Sequence, residues 1–550
     1  MCTLRPICHP TTLPPYHLTT LPPYQSTNLP LYHSTTPPIH QEDTMQFQIK
    51  QGFVQDEAAD LLVVNLFEGV TEPSGALKGV DQALNGLIAR VIAAGDFKGK
   101  LGETQVLYSN DALPAQRVLI TGLGKQAEFT VAQARKAAAA AANQARKLGA
   151  AHIATVVHGA GQGGLDAAAA AQALAEGTLL GNYRYRARKQ NDSDNGKPAL
   201  AEVVVLEADA DKVDAVRQGV AAGQIVGEAA NWARDLVNEP PNYLTPKELA
   251  RRVVEQAEAV GLKTQVLGEA EMAELGMGSL LGIARGSDEE AQFIVLEHIP
   301  QGHDLASLPT VALVGKAITF DTGGISIKPA ENMWKMKSDM GGGAATAAAL
   351  VAAAGLNLPV HVVGLIPSTE NMPGGDAIKP SDVVTVMNGK TVEIISTDAE
   401  GRQVLADAMC YAARYQPDAM VDIATLTGAM VIALGPDLAG LFCDDETLRS
   451  RLMQASEETG ETLWPMPLWK PYRKLLDTDA ADMKHTGGRM GGAISAAIFL
   501  REFAGEQPWA HLDIAGTAWQ EENSPFTVRG ASGFGARLLL ELLRAYASGQ

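Results

Sequence analysis

Seven consecutive residues, Ser396-Thr397-Asp398-Ala399-Glu400-Gly401-Arg402, put two carboxylates and a guanidinium within reach of one point. The apolar run Val392 to Ile395 precedes them and reads as a buried strand; Gln403 to Met409 follows with helix periodicity. A strand-to-helix turn is where open α/β sheets place their ligands. Residues two apart in an extended segment point the same way, so Asp398 and Glu400 are expected to converge, with Arg402 on the same side. Acids near a helix start are favoured by the helix dipole in any case. The stretch alone therefore does not separate a site from an ordinary helix end.

The rest of the chain does. Val311 to Gly315 reads as a buried strand that delivers Lys316, then Asp321, then Lys328. Asp339 stands just before an Ala-rich helix, and Thr425-Leu426-Thr427-Gly428 follows the strand Met420 to Ala424. Asp321, Asp339, Asp398 and Glu400, with Lys316 and Lys328, thus sit at successive strand ends. Four converging carboxylates repel one another unless cations neutralise them. Two divalent ions would balance them and leave no place for a protonated lysine among the ligands. A coordinating Lys316 would be the neutral amine, at a cost of about 4–5 kcal/mol from its ordinary pKa, offset by metal and burial. Hard oxygens plus one amine suit Mn²⁺, Mg²⁺ or Zn²⁺. Paired metals activate water and polarise a carbonyl or phosphoryl oxygen. Lys328 and Arg402 remain to stabilise developing negative charge. The residues point to metal-assisted hydrolysis and leave amide and phosphate ester open.

The elements that must position these groups follow an α/β pattern. Residues 1–44 carry nine of the 29 prolines and a repeated Leu-Pro-Pro-Tyr; they cannot build a core and read as a disordered tail, with Met45 as the expected natural start. From there, strands near 61–64, 117–120, 152–157 and 202–206 alternate with helical patterns at 77–94, 129–148 and 164–182. Gly122-Leu123-Gly124 is an incomplete nucleotide fingerprint and reads as a tight turn. A helix over about 211–236 connects to the second domain, and Thr245-Pro246 caps the next helix. Strands at 360–366 and 383–386 follow, the second turning at Asn388-Gly389. The expected architecture is α/β in two domains: 45–210, smaller, and 237–550, a larger catalytic domain with a mixed sheet flanked by helices.

Composition narrows the class. A net charge of −19 argues against general affinity for nucleic acid or anionic membrane. Four cysteines without a CxxC suggest neither a disulfide framework nor a thiolate metal site, which fits a reducing cytoplasm. No apolar run reaches transmembrane length.

Val314 to Gly324, Lys328, Asp339 to Gly342, Thr397 to Arg402, Thr425 to Gly428, Gly491 to Ile494 and Trp509 to Thr517 together resemble the leucyl (cytosol) aminopeptidases. The resemblance spans about 230–545 and reaches more weakly into 45–210. It implies that Lys316, Asp321, Asp339, Asp398 and Glu400 bind two divalent ions per subunit, Mn²⁺ ahead of Zn²⁺ or Mg²⁺. Asp321 and Glu400 would be shared, Lys316 and Asp339 would serve one ion and Asp398 the other. Lys328 would stabilise the oxyanion, and Arg402 would hold a bicarbonate acting as general base. Thr425, Leu426 and Gly428 would line the substrate site, and Met336 its apolar pocket. The implied enzyme removes leucine and other, mostly apolar, N-terminal residues from peptides in intracellular turnover, as a cytoplasmic homohexamer. Two positions depart: the family usually has Asn at 396 and Gly at 317, where this chain has Ser396 and Ala317.

The competing readings are a two-metal phosphoesterase and a further DNA-binding role for the first domain. The first calls for more histidines and a basic pocket. The second calls for a dense basic run, and only Arg184 to Lys189 offers one. His511 reads as a core histidine, His485 as a loop residue near the site mouth, Cys410 as core and Asp407 as structural.

Overall fold

The computed structural model describes residues 45–189 and 197–549. The proline-rich tail, with Cys2 and Cys8, lies outside them, as does most of the polar loop at 186–198.

The first sheet uses β1 (Gln46–Gln51), β2 (Leu61–Leu66), β3 (Thr104–Tyr108), β4 (Arg117–Gly122), β5 (His152–Val156) and β6 (Glu202–Glu207), in the order β1-β6-β5-β2-β4-β3. All pairs are parallel except β3 with β4. The central strands are apolar on both faces, as a sheet covered on two sides requires. The single helical pattern expected at 77–94 is instead two helices, Gly75–Ala83 and Leu87–Ala94. Asn85 and Gly86 between them both take positive φ, which no α-helix continues through.

The helix Val213–Asn238 connects the two sheets. Val216 and Val220 join the core of the first sheet, whereas Val226 to Val237 join that of the second. It stops at Glu239, before Pro240 and Pro241. A buried arginine ties the parts again: Arg135 Nε donates to Glu176 Oε2 at 2.5 Å within the first part, and its Nη1 donates across to the carbonyls of Glu458 and Thr459.

The second sheet holds β7 (Lys263–Leu267), β8 (Gln292–His298), β9 (Thr310–Gly315), β10 (Ala317–Asp321) and β11 (His361–Asn371). Farther along the chain come β12 (Val383–Thr385) and β13 (Thr391–Glu393), which stand apart, then β14 (Ala419–Ala424), β15 (Ala439–Cys443), β16 (Leu463–Met466), β17 (Met483–Lys484), also apart, and β18 (Trp509–Asp513). Its order is β16-β15-β18-β14-β9-β11-β8-β7, with β10 beside β11. The chain runs from β9 to β11 on one side, and β14 returns to β9's other side. The crevice above β9 is therefore a topological switch point. The C-terminal ends of β9, β14 and β18 are in register there, with Ile423 opposite Gly315 and Ala424 opposite Asp513.

Beneath the crevice runs the Ala-rich helix Gly341–Gly355, buried along nearly its whole length. Small residues let it lie against the sheet: a Cβ on Gly342 would meet the Ile423 carbonyl oxygen at 2.0 Å. β12, β13 and β17 form a separate three-stranded sheet. The Asn388-Gly389 hairpin joins β12 to β13 as expected, with Thr385 opposite Thr391.

Candidate active site and metal centre

The break between β9 and β10 places Lys316 at the switch point, 2 % exposed. Its Nζ donates to Asp339 Oδ1 at 2.9 Å and to the Thr425 carbonyl at 2.9 Å, and lies 2.8 Å from Glu400 Oε1. Asp321 ends β10, opposite Asn371 at the end of β11. Asp339 follows the 3₁₀ turn Met333–Ser338 and accepts the Thr425 hydroxyl at 2.6 Å. Lys328 Nζ lies 2.7 Å from Asp321 Oδ2 and bonds to Asp398 Oδ1.

Asp398 and Glu400 do converge, by a different local geometry from the one expected. Thr397–Ala399 is a 3₁₀ turn, not an extended segment, and Glu400 is already helical. The strand before them, β13, belongs to the small sheet and not to the main one. Arg402 lies inside the helix Gly401–Ala412, 5 % exposed. Its Nη1 donates to the His485 carbonyl at 2.9 Å, its Nε has no partner among the described residues, and burial pushes its pKa down to about 10. Asp321, Asp398 and Glu400 each offer a carboxylate oxygen, all within 4.8 Å of one another. Glu400 also reaches Lys316, so it stands between this trio and the Lys316–Asp339 pair.

The donor set fits divalent cations. Among the described residues, these four carboxylates meet only two ammonium groups, and Asp339 Oδ2 is buried without a partner. Burial, with Glu400 close by, holds Asp321 above the usual carboxylate range, and burial does the same to Asp339. Burial also penalises the charge on Glu400, but Lys316 and Lys328 outweigh it and keep the group ionised. Burial likewise opposes the charges of Lys316 and Lys328, and the surrounding acids hold both ammoniums above the ordinary lysine value. The cluster is thus short of positive charge, in the way a cation site is.

Thr425 touches this cluster directly. Leu426 is half-buried and Gly428 exposed on the same turn, which Asp513 organises: its carboxylate accepts the Leu426 N–H at 3.2 Å and the Thr427 hydroxyl at 2.6 Å. Met336 is half-buried on the turn leading to Asp339.

Three supporting residues went unread in the sequence. Asn371 Nδ2 donates to Asp321 Oδ1 at 2.7 Å and to the Thr397 carbonyl at 3.0 Å. The strand carrying it was expected at 360–366; instead it runs from His361 to Asn371, with Pro367 opposite Phe293. Thr397 and Asp513 lay within the motifs that carry the resemblance but were given no role of their own. His485 differs from expectation: it is fully buried and not at the mouth. His511 is the satisfied core histidine foreseen, with Nδ1 2.5 Å from Asp422 and its ring stacked between Phe442 and Trp509. Cys410 packs half-buried against the core. Asp407 is structural, accepting the N–H groups of Leu280 and Met387, each at 2.8 Å.

The model of the cytosol aminopeptidase family catalytic domain matches residues 231–540, and that of its N-terminal domain matches residues 63–192. A probable cytosol aminopeptidase of Roseiflexus castenholzii is 45% identical over 501 residues, 91% of this chain and 99% of that one. One from Geobacter sulfurreducens is 44% identical over 469 residues, 85% and 93% of the two chains. Among solved structures, the bottromycin maturation enzyme BotP in complex with Mn is 38% identical with a TM-score of 0.78, covering 89% of this chain and 100% of its own. A tomato leucine aminopeptidase mutant is 31% identical with a TM-score of 0.81, covering 92% and 98%.

Proposed function

The chain belongs to the cytosol aminopeptidase family, metal-dependent hydrolases of the N-terminal peptide bond, and on that premise we propose how its residues divide the work. Lys316, Asp321, Asp339, Asp398 and Glu400 hold two divalent cations, with Lys316 as the neutral amine. Asp321 and Glu400 would serve both ions, Lys316 and Asp339 one of them and Asp398 the other. When bound, the cations supply a Lewis acid for the scissile carbonyl, a water acidified toward neutrality and a ligand position for the substrate's free α-amine.

The protein's own groups do the rest. Lys328 carries its ammonium beside Asp321 and Asp398, where it stabilises the oxyanion that forms on the carbonyl. Arg402 keeps a buried Nε free for an anion, which supports bicarbonate as the proton acceptor. Thr425, Leu426 and Gly428 orient the peptide backbone, and Met336 lines an apolar pocket that favours leucine. Mn²⁺ is the preferred ion, ahead of Zn²⁺ or Mg²⁺, which the Mn complex of BotP supports. The proposed setting is a cytoplasmic homohexamer turning over intracellular peptides. Among the described residues no helix is long and apolar enough to cross a membrane. The proposed division is a tail at 1–44, a first domain at 45–210, a connecting helix at 211–236 and a catalytic domain at 237–550. The two large sheets, joined by the helix Val213–Asn238, support it. The phosphoesterase and DNA-binding alternatives find no support in these matches.

The observation that carries this reading is the convergence of four carboxylates on two lysines, with one buried oxygen left over. The test is hydrolysis of leucine p-nitroanilide by protein stripped of metal, then reconstituted with Mn²⁺, beside N-acetylated substrate. Metal-dependent release with an inert acetylated control is expected. Full activity after stripping, or equal cleavage of the blocked substrate, would overturn it.

A further inference from the structure

We propose that His485 is a positioning residue for the metal centre, holding both ends of the segment that carries Asp398 and Glu400. The inference rests on the assignment of those two acids as cation ligands. β17 pairs in parallel with β13, Val392 opposite Met483 and Glu393 opposite Lys484, so His485 emerges beside the chain just before the acidic turn. Its backbone N–H donates to the Glu393 carbonyl at 3.2 Å. Its ring then engages Ile395 and Ser396: Ile395 N–H donates to Nδ1 at 3.2 Å, and Nε2 donates to the Ser396 carbonyl at 2.8 Å. Its own carbonyl accepts from Arg402 Nη1 at 2.9 Å. Ser396 and Arg402 bracket Asp398 and Glu400, and one fully buried residue therefore grips the segment on both sides.

The hydrogen bonds define the ring's proton. Nδ1 must accept from Ile395 while Nε2 donates to Ser396, which is the neutral Nε2–H tautomer. A second proton on Nδ1 would face the Ile395 N–H, and the Glu393 carbonyl 3.2 Å away already serves the backbone N–H of His485. Burial first, then the neighbouring Arg402, disfavours the cation. The task thus needs one acceptor and one donor at fixed positions, not a charge. Asparagine can set its Oδ1 where Nδ1 accepts and keeps an N–H donor beside it, closer to Cγ than Nε2; an apolar side chain supplies neither.

That logic sets the experiment. Mn²⁺ binding to stripped wild type, H485L, H485N and D398N is measured by calorimetry, with kcat, KM and thermal midpoints alongside. Solid-state spectra of ¹⁵N-histidine-labelled wild type, assigned by difference from H485N, report the tautomer. H485L is expected to bind Mn²⁺ ~10–100-fold more weakly, as loss of an outer ligand partner does, with kcat falling in step and KM little changed. H485N is expected to stay inside the ~10-fold lower bound of that range. Wild-type affinity in H485L would overturn the proposal. So would an H485N that melts like wild type yet binds as poorly as H485L, or an imidazole protonated at Nδ1. Should H485L not fold, H485N and the tautomer decide. Wild type that fails to bind Mn²⁺, or D398N that binds as well, would instead sink the ligand assignment itself.

Discussion

Gly401 opens the helix that follows Glu400, and replacing it separates stability from catalysis. Its φ is not positive, so alanine fits the backbone without strain. A Cβ there would lie 2.6 Å from Lys316 Cε and 2.7 Å from Nζ, against an ordinary carbon contact of about 3.5–4.0 Å. Lys316 must retreat by roughly 1 Å. It is buried and bonded to Asp339, Glu400 and Thr425 at 2.8–2.9 Å, so the retreat breaks at least one of these contacts. A misplacement of ~1 Å costs about 10²-fold in rate, which is about 2.7 kcal/mol of transition-state stabilisation. Stability moves differently. Alanine gains up to ~1 kcal/mol of helix propensity, against an overpacking cost of ~1–3 kcal/mol. G401A should therefore melt within a few degrees of wild type while kcat/KM for leucine p-nitroanilide at saturating Mn²⁺ falls about 100-fold. The assay pairs initial rates with metal content and the thermal midpoint. Unchanged kcat/KM with full metal content would show that the Lys316 amine has no place in the chemistry.

Other perturbations bear on other parts of the molecule. K328M should lower kcat by ~10²–10³ with a smaller effect on KM, as loss of an oxyanion donor does; a kcat unchanged at constant metal content would contradict that role. R135M leaves Glu176 charged and buried, with an expected loss of ~3–5 kcal/mol read as a lower thermal midpoint. Rates measured well below the transition should stay the same, and a companion R135M/E176M variant should recover part of the loss. His158 is fully buried, and burial lowers its pKa to about 4 from an ordinary 6.5. The unfolded chain then binds the extra proton first as pH falls, so this stabilisation is complete above pH 6.5 and is lost between 6.5 and about 4. The loss amounts to about 3 kcal/mol. H158L should flatten the pH dependence of urea midpoints across that window, and an unaltered slope would refute the assignment.

What the sequence revealed of this site, and what it hid, divides along a physical line. A metal ligand is restricted to a few residue types by charge and hardness, and topology restricts it to strand ends. The five proposed ligands, Lys316, Asp321, Asp339, Asp398 and Glu400, could be found on that basis, and the structure brings them together with Lys328 beside them. The strands and the connecting helix were legible for a similar reason, since burial on two faces leaves apolar runs. The groups that aim the ligands obey a weaker restriction. Asn371, Thr397, Asp513 and His485 need only a donor or an acceptor in the right place, and much of what they grip is backbone. His485 reaches Arg402 through its carbonyl, which any residue possesses, across 83 positions. Nor does local pattern mark the turn itself: Asp398 and Glu400 meet through a 3₁₀ turn held from outside, so the extended geometry expected from their two-residue spacing was not needed for them to converge. It follows that the ligands should tolerate almost no substitution, whereas their supports should accept any side chain that keeps the same donor and acceptor. A comparison of H485N with H485L measures that difference directly.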